Sequence, residues 1–161
     1  MKRTLSLLAL IAVLFSLAAC GGKKPPELVA AKTKNVLSVL RGMIKSYEKK
    51  DLDSYLSEVA SGFREREAYS KALAAVFSKY ETIRFNIQYS KMIVMIEEQG
   101  TIKASFNWDA EWQGAGGMTQ KDGGRVTLVF EPGDFKLISI DGKNPFLPQQ
   151  IVPQQRDMPE K

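Results

Sequence analysis

Between residues 27 and 47 the apolar positions Val36, Leu40, Met43, Ile44 and Tyr47 fall at i, i+4, i+7, i+8 and i+11, a single stripe along an α-helix. Pro26 and Glu27 suit its entry, and Lys45, Lys49 and Lys50 suit its exit. Asp51 then reads as the N-cap of a short helix from residue 52 to about 59, with Leu52, Tyr55, Leu56 and Val59 on one side. Ser61-Gly62 breaks it. A third helix is expected from about residue 66 to 80, where Tyr69, Leu73, Val76, Phe77 and Tyr80 repeat the spacing of the first.

After Tyr80 the period changes to two. Ile83, Phe85, Ile87 and Tyr89 alternate with Arg84, Asn86, Gln88 and Ser90, the pattern of a half-buried strand. The parity then flips to Met92, Val94 and Ile96, with Ile93 and Met95 apolar as well, which predicts a bulge or bend near Ser90-Lys91. Glu98-Gln99-Gly100 turns the chain into a strand over residues 101–113. Ile102, Phe106, Trp108 and Trp112 share one face of it; Lys103, Ser105, Asn107, Asp109 and Glu111 share the other. Residues 114–124 are expected to form a glycine-rich hairpin loop. Strands over 125–131 and 134–141 follow, joined at Pro132-Gly133. Asn144-Pro145-Phe146-Leu147 is expected to fold back as an apolar clip. The Pro/Gln-rich residues 148–161 show no period and are expected to be disordered.

The leading segment follows another logic. Met1-Lys2-Arg3 supplies a positive start, and residues 5–19 form an apolar run broken only by serines, the layout of a secretory signal peptide. Those fifteen residues would reach about 22 Å as a helix, at ~1.5 Å each, short of the ~30 Å of a bilayer core. The run ends in Leu17-Ala18-Ala19-Cys20, which holds the only cysteine of the chain. This tetrapeptide resembles the lipobox of bacterial lipoproteins. The resemblance implies a diacylglyceryl group on the Cys20 sulfur, cleavage after residue 19, and acylation of the new amine, commonly with palmitate. Two or more acyl chains, at ~0.8 kcal/mol per buried methylene, anchor a protein stably where one does not. Residues 20–26 would then be the lipidated cysteine and a flexible tether, Gly21-Gly22-Lys23-Lys24-Pro25-Pro26. No aspartate follows Cys20, so the same resemblance favours the outer membrane, with the protein facing the periplasm.

Removing nineteen residues from 161 leaves 142, a one-domain length. Lys2 and Arg3 depart with the signal, so the net charge falls from +5 to +3, too little for a nucleic-acid site. There is no histidine, which removes the commonest metal ligand, the usual acid–base group and any Ser/His/Asp set. No metal or cofactor is expected.

Three helices followed by a curved antiparallel sheet make an α+β domain. That order, the Tyr47-Glu48-Lys49-Lys50-Asp51-Leu52 junction and the run Asp134-Phe135-Lys136-Leu137-Ile138-Ser139-Ile140-Asp141-Gly142 resemble the NTF2-like (cystatin-type cone) superfamily, and more narrowly its small bacterial lipoproteins. The likeness covers residues 27–147. It implies a sheet wrapped round helices into a cone with a pocket between them. Some relatives isomerise or dehydrate small molecules there, many only bind, and others use the open sheet face for dimers or partners.

Several constellations are candidates for chemistry. Asp109 and Glu111 project on one side of their strand, and paired carboxylates do acid–base work when one pKa is raised. The alternation sets them opposite Phe106, Trp108 and Trp112, where exposed pairing with Arg125 or Arg84 is expected instead. Tyr55, Tyr80 and Tyr89 can supply the hydrogen-bond donor that ketosteroid-isomerase-like relatives use. No inward position carries a carboxylate as base, leaving only loop residues such as Asp122. Tyr55, Phe85, Tyr89, Phe106, Trp108 and Trp112 are candidate walls for a small apolar ligand, in competition with plain core packing. The loop Gly114-Ala115-Gly116-Gly117 onward lacks a Gly-Lys-Ser/Thr ending and leads into a strand, so it is no phosphate cradle. The outward row Arg84, Asn86, Gln88, Lys103, Asn107, Asp109, Glu111, Arg125 and Thr127 is the candidate surface for a homodimer or an envelope protein partner. The sequence thus leads to a non-catalytic, membrane-anchored binding domain. A pocket isomerase or dehydratase, or a purely structural lipoprotein, is the alternative.

Overall fold

A computed structural model of the protein describes residues 26–148. The signal segment, Cys20, most of the tether and the tail beyond residue 148 lie outside the described residues. Contacts divide the chain into two compact units, one ending at Ala30 and one beginning at Ala31. Of the first, only the opening of helix α1 is described; the features that follow belong to the second.

Helix α1 (Pro26–Glu48) carries the expected stripe inward: Val36, Leu40, Met43 and Tyr47 are fully buried and Ile44 is half-buried. It stops where Lys50 takes a left-handed φ of 58°. Asp51 caps α2 (Leu52–Ser57), its carboxylate accepting from the Ser54 amide at 3.0 Å and the Ser54 hydroxyl at 2.6 Å. This helix ends before Val59, earlier than the periodicity indicates. Glu58 O and Ala60 N–H bond instead to the Leu137 amide and carbonyl at 2.8 and 2.9 Å, and Val59 bridges Leu137 in parallel. Helix α3 (Arg66–Lys79) buries Tyr69, Leu73, Val76 and Phe77.

Five antiparallel strands follow: β1 (Tyr80–Ile87), β2 (Ile93–Ile96), β3 (Ile102–Gly114), β4 (Thr119–Phe130) and β5 (Leu137–Gly142). Their order is β1-β3-β4-β5, with β2 pairing the other half of β3 on the same side as β1. A 3-10 turn at Tyr89–Lys91 separates β1 from β2, where the parity flip indicated a bend. The helices pack on the concave face of this unclosed sheet, and the inward residues of β3 alternate as expected: Ile102, Phe106, Trp108 and Trp112 are buried.

The expected hairpin loop over 114–124 is corrected. Strands β3 and β4 pair continuously from Gln113↔Thr119 to Ile102↔Phe130, and the turn is only Ala115–Gly117, closed by Gly114 N–H donating to Met118 O at 2.7 Å. Gly116 and Gly117 take the positive φ that this turn needs, at 70° and 78°. Gly123 and Gly124 stand inside β4 for a different reason. A Cβ on Gly123 would lie 3.0 Å from the Trp108 carbonyl oxygen. Close approach of two backbones, not a turn, requires glycine there.

Candidate functional site

Tyr47 ends the buried stripe of α1, and that position puts its hydroxyl at the centre of the cone. It donates to Phe146 O at 2.7 Å and accepts from Trp112 Nε1 at 2.8 Å. The Tyr55 hydroxyl meets the Tyr69 hydroxyl at 2.7 Å. Phe146 packs among them, its ring centroid 5.2 Å from Tyr47, 5.2 Å from Tyr55 and 5.5 Å from Phe85, which stacks in turn on Trp108 at 5.9 Å. The apolar clip is therefore the plug of the cone. Burial pushes the hydroxyl pKa of Tyr47, Tyr55 and Tyr69 upward, so all three remain neutral.

Tyr55, Phe85, Phe106, Trp108 and Trp112 are thus brought together, but as a packed core with Phe146 between them. Tyr89 is not among them. Its expected inward parity ends at Ile87, because the 3-10 turn begins at Tyr89 and rotates it outward. The ring is 45% exposed and lies beneath the Arg41 guanidinium at 5.7 Å. Tyr55 has a hydroxyl as its partner, not a carboxylate.

On the outer face Arg84, Asn86, Gln88, Asp109 and Arg125 are exposed and Lys103, Asn107, Glu111 and Thr127 half-exposed. The expected pairing of Asp109 and Glu111 with Arg125 or Arg84 holds in part: β1 sets Arg84 opposite Glu111, whereas Arg125 stands opposite Asn107. Asn86 stands opposite Asp109 and donates to it at 3.0 Å; Lys121 stands opposite Glu111 and pairs with it at 3.0 Å. Hydrogen bonds from Gln113 and Lys121 hold the Glu111 carboxyl below its ordinary pKa, with Arg84 adding a smaller coulombic effect. Asp122 lies in β4 opposite the inward Ala110, its side chain largely buried, and bonds Lys143, whose ammonium lies over the Trp108 ring at 5.9 Å.

Open space lies elsewhere. A cavity of about 580 Å³ sits between the N-terminal half of α3, β5 and the clip. Phe63, Ala68, Ala72, Ile140 and Leu147 supply apolar walls; Arg64, Glu65, Ser139, Asp141 and Asn144 supply polar ones. Tyr69 lines it too, which joins it to the buried hydroxyl pair. Glu65, at a left-handed φ of 54°, opens α3 beside this hollow. Asn144 Oδ1 accepts from Phe146 N–H at 2.9 Å, and Ser139 donates to Asp141 at 2.7 Å. Sequence reasoning missed this site. Its walls come from a helix break, a sheet edge and the clip, none of which has a period to read.

Among the described residues no group of three or more His, Cys, Asp or Glu is placed to hold a metal ion, and no helix is long and apolar enough to cross a membrane.

An α+β cone of this order, its interior filled by aromatic packing, is the class the geometry defines. No model of a known protein family matches the sequence, and no curated protein is detectably similar. Solved structures do match. An NTF2-like superfamily protein from Salmonella enterica aligns with a TM-score of 0.61 at 11% identity, covering 78% of this chain and 98% of that one. A candidate scytalone dehydratase from Novosphingobium aromaticivorans aligns at 0.63 and 8%, covering 72% and 85%. A candidate dehydratase of the NTF2-like family from Streptomyces avermitilis aligns at 0.59 and 16%, covering 69% and 94%. The chain has the NTF2-like fold, and at these identities the likeness establishes the fold alone.

Proposed function

We propose that this protein is a lipid-anchored module of the bacterial cell envelope that binds a small, partly apolar molecule in the cavity between α3 and β5 without transforming it. One observation carries the reading. The interior where relatives are expected to keep a pocket is plugged by Phe146, while a hollow of about 580 Å³ with mixed apolar and polar walls stands open beside it. That volume lies within the ~300–1,000 Å³ of ligand sites. The signal layout and Leu17-Ala18-Ala19-Cys20 support the anchor, with the periplasmic face of the outer membrane as the address. Native mass spectrometry of the protein extracted from its envelope tests the binding. An added mass that disappears on solvent extraction is expected; a bare polypeptide mass argues against a resident ligand. For the anchor, Cys20→Ser moves the protein from the membrane to the soluble fraction or leaves it unprocessed. Normal processing and membrane retention of that variant would refute lipidation.

A pocket isomerase or dehydratase is the second reading, favoured by the dehydratase names among the fold neighbours. It requires a base, and Glu65 and Asp141 are the carboxylates lining the cavity. Chemical conversion of the extracted ligand by the wild type but not by Asp141→Asn or Glu65→Gln would replace binding with catalysis.

A further inference from the structure

Two edge strands of the sheet receive hydrogen bonds from outside it. Along β1, Glu48 Oε1 accepts from the Phe85 amide at 2.8 Å and Lys50 Nζ donates to Tyr80 O at 3.1 Å. Along β5, Glu58 and Ala60 bond to Leu137. Strand β2 pairs only with β3. Glu97 N–H donates to Thr101 O at 2.9 Å, which sets the phase of this ladder. Hydrogen-bonded pairs alternate with non-bonded ones, so Met95/Lys103 and Ile93/Ser105 are bonded pairs, and Val94 and Ile96 direct their amides and carbonyls to the open edge. The same rule places Phe85 outward on β1, where Glu48 meets it. No described residue meets Val94 or Ile96 in that way.

Met92-Ile93-Val94-Met95-Ile96 has no charge, proline or glycine, and Ile93 and Met95 are 49% and 50% exposed. Its flanks differ in sign, with Lys91 before it and Glu97-Glu98 after it.

The geometry points to β2 as a docking edge for a second copy of this chain, paired antiparallel about Val94 so that two sheets become one. In that register Val94 exchanges both of its hydrogen bonds with the partner copy's Val94. Each Ile96 N–H meets a Met92 carbonyl, whose own N–H is already given to Tyr89 O at 3.2 Å. Ile93 comes opposite Met95 in a close, non-bonded pair on the exposed face. Lys91 comes opposite Glu97, whose carboxylate also pairs with Lys103 of its own copy at 2.5 Å and which lies beside Glu98. A cation is thus added to an acidic end on each side, whereas parallel pairing would set like charge against like. That complementarity selects a second copy over an arbitrary extended peptide. A five-residue pairing falls at the small end of interfaces, so the dimer is weak and concentration-dependent. The proposal stands independently of the ligand reading.

Disulfide trapping of the full chain in its own envelope tests it. Ile93→Cys and Met95→Cys variants carrying different tags are expressed separately and together. In the proposed register the two positions face each other at a Cα separation of about 4.5 Å, within the ~4.4–6.8 Å a disulfide spans, while each position lies beyond that reach from its own copy. A mixed dimer at least tenfold more abundant in the co-expressed pair than in either variant alone is expected. Lys91→Glu should lower its yield severalfold. Val94→Pro should abolish it without breaking the sheet, because that N–H bonds nothing within the chain. Absence of a dimer, equal trapping in every combination, or an adduct with another protein's mass would overturn the proposal.

Discussion

Two tryptophans of β3 show how single side chains decide this core. Trp112 gives its indole N–H to Tyr47, whereas the buried Trp108 Nε1 has no hydrogen-bond partner among the described residues. Replacing each with phenylalanine removes similar volume, but only Trp112→Phe deprives a buried hydroxyl of its donor. Trp112→Phe is therefore expected to cost about 1–3 kcal/mol more than Trp108→Phe, read from urea unfolding midpoints. Asp51 gives a pH-dependent case. Hydrogen bonds from the Ser54 hydroxyl and amide hold its carboxyl below the ordinary value of 3.8. A folded-state pKa below the unfolded one gives stability that is complete above the unfolded value and lost as pH falls through the folded one. The stability gap between wild type and Asp51→Ala should be constant above about pH 5 and shrink below pH 4. A gap that widens with acid would contradict this cap. The Asp51 cap and the α1 stripe were legible, because a cap and its helix are neighbours in sequence. The Tyr47–Trp112 bond spans 65 residues and leaves no local trace.

At the level of elements, the change of period from 3.6 to two located the passage from helices to sheet, and the parity flip located the bend between β1 and β2. The long β3–β4 hairpin was misread because glycine has two meanings. In Gly116-Gly117 it permits a turn; in Gly123 it lets β4 lie close to the Trp108 carbonyl. Composition does not separate the two. Stability measurements do. A Cβ at Gly123 would meet a backbone atom at 3.0 Å, while one at Gly124 would meet the Lys143 side chain at 3.4 Å, which can move. Gly123→Ala should destabilise the protein by about 1–3 kcal/mol, and Gly124→Ala by clearly less. Equal effects would mean that the glycines serve conformation alone. Tyr89 makes a related point. Strict alternation carries a residue inward only while the strand lasts, and Tyr89 begins the turn that ends it.

For the whole molecule, element order and amphipathic faces were sufficient to specify an α+β cone, since each face had only one way to be buried. They were insufficient to say whether the cone was open. That depended on Phe146, a residue in a segment with no period, which enters between Tyr47, Tyr55 and Phe85 and turns a candidate pocket into core. The same clip, through Asn144 and Leu147, walls the cavity between α3 and β5. One segment thus closes the interior and shapes the proposed site.

The most direct test of that assignment fills the cavity and leaves the core alone. Ala72 is half-buried on α3 and lines the hollow. With Ala72→Trp, native mass spectrometry of envelope-extracted protein should show the ligand-bound fraction falling at least tenfold while the fold and its aromatic core persist. Unchanged occupancy in that variant would place the ligand elsewhere and contradict the account.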